Sequence, residues 1–293
     1  MCLIAFAIGA SERWPLVVAS NRDEFFDRPT LPLSQWQPTA GQTIASGRDL
    51  LCGGTWLGAT PGGRVAWLTN VRESQSIPAP ASRGELVLRW LQGRMQADDF
   101  MEQTEGASYS GFNLVLGDLA TSSWTWLSNR RFDGSSALPH LPVAGWTSRA
   151  LSPGIYGLSN AALDTPWPKT LALKTALTAA LHSAKDEKQL AAPLWTALAS
   201  QHEVSLAGPA ASGLSIELER ALSSAFVSIP GRGAQGYGTR CSTLLTAGQA
   251  QGRLQGPGGG PVNWTICLEE RTFGGLDSRP GNIHQFEMAR TAI

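Results

Sequence analysis

The chain has 293 residues, enough for one large domain with a full hydrophobic core. Charged residues are 16% against 42% hydrophobic, and 23 basic residues balance 23 acidic ones, which excludes extended disorder, charged tails and the broad basic footprint that nucleic-acid backbones require. Gly 32 and Pro 18 exceed average usage without reaching low complexity, as expected for many turns between short strands.

Leu3 to Ile8 and Leu16 to Ala19 are apolar runs around a polar turn at Gly9 to Glu12, which predicts an opening β-hairpin. The first ten residues lack a basic leader and are expected to form a buried strand rather than a signal peptide. Thr55 to Ala59 and Val65 to Thr69 flank Pro61-Gly62-Gly63, a turn signal from the fixed φ of Pro and the permissive φ of Gly. Ser82 to Met95 carries Leu86, Val87, Trp90 and Leu91 at helical spacing, and Phe112 to Leu116 with Ser123 to Leu127 reads as a third strand pair. Pro168 precedes Leu173, Leu177 and Leu181, predicting a helix over Lys169 to His182, because Pro suits a first helical turn. Further helical stretches run from Leu190 to Ser200 and from Ile216 to Ser224. Strands then return at Cys241 to Thr246 and Asn263 to Glu269, joined by a Gln/Gly-rich loop. Strands first, helices in the middle and strands last predict an α+β domain whose terminal strands meet in one sheet, with residues 1–293 as a single domain.

No apolar run approaches the roughly 20 residues of a membrane span. Cys2, Cys52, Cys241 and Cys267 show no C-x-x-C pairing, so a reducing, cytoplasmic setting fits. The four histidines have no paired ligand spacing, and no metal or cofactor motif emerges. Gly231 to Gly236 fits G-x-G-x-x-G but leads into a strand, which predicts a loop rather than a dinucleotide turn.

The chemistry begins at Cys2. A small residue after Met1 permits removal of the initiator, leaving a thiol and a free α-amine on one residue. Their reference pKa values, about 8.5 and about 7.7 to 8.0, let the amine take the thiol proton near neutrality. The bland alternative is that Cys2 is a small hydrophobe capping a strand. The hairpin returns Ser20-Asn21-Arg22-Asp23-Glu24 toward that terminus. Asp23 is placed to hold the amine and Asn21 to fix the local backbone, although the same cluster serves equally as an ordinary polar turn. Asn70 and Asn160 each close an apolar run, where a side-chain amide can donate to an oxyanion or make an Asx-turn. Arg240 stands near a strand start, where a fixed cation can depress a thiol pKa. The 11 tryptophans, Trp56 and Trp167 among them, can line an apolar ligand pocket or simply fill the core.

Met1-Cys2, Asn21-Arg22-Asp23-Glu24, Gly47-Arg48-Asp49, Gly53-Gly54-Thr55-Trp56-Leu57-Gly58, Thr69-Asn70-Val71-Arg72, Ser82-Arg83-Gly84-Glu85, Gly157-Leu158-Ser159-Asn160, Pro166-Trp167-Pro168-Lys169 and Tyr237-Gly238-Thr239-Arg240 together resemble the NRDE family, related to the transport and Golgi organisation protein 2 family. That family is similar in turn to N-terminal-nucleophile hydrolases of the penicillin V acylase and bile-salt hydrolase type. The resemblance implies a four-layer αββα sandwich, Ntn-hydrolase-like, cleaving an acyl amide or thioester. It implies Cys2 as nucleophile, Asp23 as partner of its amine and thiol, Asn70 and Asn160 as oxyanion or amine-positioning groups, and Arg240 as the thiol-activating cation. Asn21, Arg22, Glu24, Trp56 and Trp167 are then the candidate substrate contacts. Where the hydrolases carry Arg-Asn-x-Asp, this chain reads Ser20-Asn21-Arg22-Asp23, so the usual Arg is absent and Arg22, on the face of Ser20 by strand alternation, is the nearest substitute. The NRDE family has also been linked to haem trafficking and to lipid or acyl-CoA metabolism, which gives a second expectation: a non-catalytic carrier of a haem-like or acyl-lipid ligand.

Overall fold

A computed structural model describes residues 2–39, 42–73, 79–132, 140–204, 214–249, 264–275 and 279–289. The expected Gln/Gly-rich loop lies outside the described residues. The opening hairpin is β1 (Cys2–Ile8) and β2 (Leu16–Phe25), in register from Cys2↔Arg22 to Ile8↔Leu16. β3 (Thr30–Thr39), β4 (Gln42–Asp49), β5 (Leu57–Ala59) and β6 (Arg64–Asn70) begin a second sheet. Helices α1 (Gly84–Gln92) and α2 (Ala97–Glu102) follow, and β7 (Phe112–Asp118), β8 (Ser123–Arg131) and β9 (His140–Ala150) complete that sheet in plain sequence order, β3 to β9.

The chain returns to the first sheet with β10 (Gly154–Leu158), which pairs antiparallel with β1. Helices α3 (Pro168–Ser183), α4 (Glu187–Leu198) and α5 (Ile216–Ala221) come next, then β11 (Ser228–Ile229), β12 (Tyr237–Gln249), β13 (Trp264–Thr272) and β14 (Asn282–Ala289). The first sheet has the order β10-β1-β2-β12-β13-β14, with β11 beside β12. The opening hairpin therefore meets the late strands, as the order of elements predicted.

Alternation on β1 explains the packing. Ile4, Phe6 and Ile8 join a core shared with Trp67 of β6 and Val115 of β7, between the sheets, whereas Leu3, Ala5 and Ala7 pack with Leu173, Leu177, Leu190 and Leu194 of α3 and α4. On the far side, Leu86, Val87, Trp90 and Leu91 of α1 pack on Ala66, Leu114 and Leu116 of the second sheet. Strands buried on both faces read as continuous apolar runs, which is why β1 and β2 were legible. β3 was not: its sequence, TLPLSQWQPT, carries two prolines, tolerated because β3 lies at the edge of its sheet. Among the described residues, no helix is long and apolar enough to cross a membrane.

Candidate functional site

Cys2 and Arg22 are direct cross-strand partners at the open end of the hairpin, so their Cβ atoms lie about 4.5–5.5 Å apart. A cavity of ≈ 90 Å³ is walled there by Cys2, Arg22, Asp23 and Glu24 from the first sheet. Asp49, Thr55, Trp56 and Asn70 close it from the second sheet and its loops, and Ser82, Arg83 and Gly84 from the start of α1. Two sheets and a helix N-terminus thus converge on one sulfur.

The β1 ladder to β10 begins only at Ile4↔Leu158, which leaves the Cys2 carbonyl beyond it. Ser159 fills the gap, its Oγ donating to the Cys2 carbonyl oxygen at 2.9 Å. Burial pushes the Cys2 thiol up; Asp23 pushes the same way, and Arg22 opposes.

Arg22 is held from two sides. Its guanidinium lies 4.3 Å from the Trp56 ring centroid, a cation–π distance, and Nη2 is 3.5 Å from Asp49 Oδ2. Asp49 is itself fixed by Arg28 Nε at 2.5 Å and by the backbone N–H groups of Leu51 and Cys52, each at 3.0 Å. Burial alone would raise the Asp49 carboxyl, but Arg28 and these donors outweigh it and hold it below the ordinary carboxylate range. Arg22 is 6% exposed, and its Nη1 has no hydrogen-bond partner among the described residues. A buried cation with a spare donor beside a thiol can stabilise a thiolate or an oxyanion.

Asp23 is fixed by β12: Thr239 Oγ1 donates to its Oδ1 at 2.7 Å and Tyr237 Oη to its carbonyl oxygen at 3.1 Å. Burial raises its carboxyl, while Lys169 and the Thr239 hydroxyl oppose the rise.

Cys2, Asp23, Asn70, Arg22, Glu24 and Trp56 share the cavity wall. Four expected site residues do not line it. Asn21 points to the opposite face of β2, as alternation requires; its Nδ2 donates to the carbonyl oxygens of Leu198 and Ala225 at 2.8 Å each, and its Oδ1 accepts from Ser242 Oγ. Asn160 is fully buried, its Nδ2 donating to the Asn70 carbonyl oxygen at 2.7 Å, so it braces the strand end that carries Asn70. Trp167 caps the start of α3 and takes Arg72 over its ring at 5.0 Å.

Arg240 donates to the carbonyl oxygens of Phe25 and Arg28 at 2.8 and 2.9 Å. The reason is a register shift between Thr239 and Cys241, which leaves Arg240 unpaired against β2; a bulge re-aims a side chain in a way that strict alternation misses. The cations on the wall are Arg22, Arg28 and Arg83 instead.

Sequence reasoning assigned no role to Ser159, Asp49, Arg83 or Lys169. Asp49 carried a usable signal, since a carboxylate followed by free backbone N–H groups two and three residues on is an Asx pattern.

The chain is 31% identical over 255 residues to the Transport and Golgi organization 2 homolog of Mus musculus, covering 84% of this chain and 88% of that one. It is 30% identical over 287 residues to the Bos taurus homolog, covering 92% and 98%. Among solved structures it is similar to a Caenorhabditis elegans N-acylethanolamine-hydrolyzing acid amidase ortholog, with TM-score 0.47 and 11% identity over 83% of this chain and 92% of that one. It is also similar to the C2A mutant of conjugated bile acid hydrolase from Clostridium perfringens, with TM-score 0.40 and 8% identity over 99% and 98%. The family described as Transport and Golgi organisation 2 matches residues 1–255, and the chain belongs to that family.

Proposed function

We propose that residues 1–293 form one N-terminal-nucleophile unit, layered helix, sheet, sheet, helix, that cleaves an acyl amide or thioester through Cys2. The observation that carries this reading is the shared cavity of Cys2, Arg22, Asp23 and Asn70. Loss of Met1 would free the Cys2 amine beside Asp23. That amine takes the thiol proton, and the sulfur adds to the acyl carbonyl carbon. Arg22 and Asn70 face the oxygen that gains charge. The C–N or C–S bond then breaks, and the proton on the amine passes to the leaving nitrogen or sulfur. Water hydrolyses the resulting thioester on Cys2, releasing a carboxylic acid and restoring the thiol.

The cavity size bears on the choice of reading. At ≈ 90 Å³ it is well below the roughly 300–1,000 Å³ of pockets that enclose drug-sized ligands. It suits a carbonyl and its substituent, as the acyl-transfer reading requires.

The test is intact-mass analysis followed by incubation with a panel of acyl amides and thioesters. Expected are loss of Met1, an acyl adduct on Cys2, and turnover that falls by roughly 10³-fold or more in Cys2→Ala. Undiminished turnover in Cys2→Ala would remove the proposal.

A further inference from the structure

The geometry points to Ser159 as the positioning residue for Cys2: Ser159 and the two residues after it tie the start of β1 in the first sheet to the end of β6 in the second, and so set where the sulfur stands relative to Asn70. The inference rests on the proposed Cys2 chemistry and deepens it.

The start of β1 needs such a tie. On one side Cys2 has its cross-strand partner Arg22, but on the other the β10 ladder begins only at Ile4↔Leu158. A strand end held along one edge frays, and a buried carbonyl left without a donor is costly. Ser159 stands one residue past the end of β10, and its Oγ donates to the Cys2 carbonyl oxygen at 2.9 Å. A serine hydroxyl has one proton to give, and the other acceptor in reach, Asn160 Oδ1, is farther away at 3.2 Å.

The same segment is gripped from the second sheet. Thr69 Oγ1 of β6 donates to the Ser159 carbonyl oxygen at 2.5 Å, and the Arg72 backbone N–H donates to the Asn160 carbonyl oxygen at 2.8 Å. Asn160 Nδ2 returns a bond to the Asn70 carbonyl oxygen at 2.7 Å. From β7, Asn113 Nδ2 reaches Thr69 Oγ1 at 3.3 Å and the Ala161 carbonyl oxygen at 2.9 Å. Ser159, Asn160, Thr69 and Asn113 are all buried, so water does not compete for these bonds. One end of the bridge is thus on Cys2 and the other on Asn70, and both of those residues wall the cavity, whereas Ser159 does not. Its action is therefore indirect. Placement matters to a nucleophile because a misplacement of about 1 Å can cost on the order of 10²-fold in rate.

The test is Ser159→Ala in the full-length chain. Timed alkylation with iodoacetamide, read by peptide mass spectrometry, should modify Cys2 several-fold faster than in the parent, because the start of β1 frays out of its buried setting. Cys241, 4% exposed on β12 of the same sheet, is the internal reference and should keep its parent rate; a general loosening of the fold would speed both cysteines. In parallel, kcat for an acyl substrate is expected to fall by about 10- to 100-fold with KM within about twofold of the parent, so reactivity toward a small reagent rises while turnover falls. A Cys2 rate that is unchanged, or that rises only together with that of Cys241, overturns the inference, and so does an unchanged kcat. If Ser159→Ala does not fold, Thr69→Val, which withdraws the donor supplied by the second sheet, is judged by the same outcomes. The alkylation arm needs no acyl substrate, so the two readings fail separately. Faster alkylation of Cys2 in a chain whose parent turns over no acyl substrate would remove the hydrolase proposal and leave the bridge, whereas parental turnover with an unchanged Cys2 rate in the variant would remove only the assignment of Ser159.

Discussion

Glu270 is a carboxylic acid sealed between two sheets. It extends the inward face of β13 begun by Trp264, Ile266 and Leu268 and is 1% exposed. Its Oε1 accepts from the Leu33 backbone N–H on β3 at 2.7 Å, and its Oε2 from Thr243 Oγ1 at 3.3 Å. Burial raises the carboxyl against these hydrogen bonds. Between the ordinary glutamate value, about 4.3, and the raised one, the folded chain binds more protons than the unfolded chain, so stability falls as pH rises through that window. Glu270→Gln should not show this fall. Urea unfolding of both proteins from pH 4 to 7 should give a difference that grows in favour of the variant by up to about 1.4 kcal/mol per pH unit and then levels off. A difference constant across the range would refute it. At this scale the sequence was legible where a residue's place follows from covalent position or hairpin register, as with Cys2, Arg22 and Asp23. It was opaque for Arg240, because an unpaired bulge residue leaves no trace in polarity, and for Lys169, whose Nζ donates to the carbonyl oxygen of Leu222, 53 residues further along the chain.

The start of α1 meets the loop after β4 so closely that side chains are excluded. A Cβ on Gly54 would lie 2.5 Å from the Gly84 carbonyl carbon and 2.7 Å from its Cα, and backbone cannot step aside as a flexible side chain can. The contact is reinforced by Thr55 N–H donating to the Gly84 carbonyl oxygen at 3.1 Å. Thr55, Ser82, Arg83 and Gly84 all line the cavity, so this seam sets its width. Gly54→Ala should cost about 1–3 kcal/mol by overpacking. It should also raise the rate at which a thiol reagent modifies Cys2, because the helix start must move away from the loop. Thermal unfolding and timed alkylation read by peptide mass spectrometry check the two parts, and an unchanged alkylation rate in a destabilised protein would contradict the second. The helices themselves were readable, α1 from Leu86, Val87, Trp90 and Leu91, and α3 from Leu173 and Leu177, because each stripe faces a sheet. The seam was not, since a glycine pair marks close approach without saying to what.

The inter-sheet core ties the site to the whole molecule. Phe6 of β1 meets Trp67 of β6 edge-on at 4.9 Å and stacks on Tyr156 of β10 at 5.3 Å. Trp56, Trp67, Trp124, Trp126 and Trp264 all belong to this one cluster, so core filling accounts for much of the tryptophan content, and Trp56 alone of these five also lines the Cys2 cavity. Cys2 and Arg22 are supplied by one sheet, Asp49 and Trp56 by the other sheet and its loops, and the distance between them is set by side chains such as Phe6 four residues along the strand from Cys2. The cavity therefore exists only while both sheets are docked. Truncating Phe6 to Ala should remove about 3–5 kcal/mol without separating the molecule into independently melting layers. Followed in urea, tryptophan fluorescence, to which five tryptophans of the inter-sheet core contribute, and Cys2 protection from a thiol reagent should be lost in coincident transitions in both parent and variant. If protection of Cys2 disappeared at distinctly lower urea than the fluorescence change, the hairpin carrying the sulfur would be unfolding on its own, and the site would owe its geometry to local structure rather than to the docked sheets.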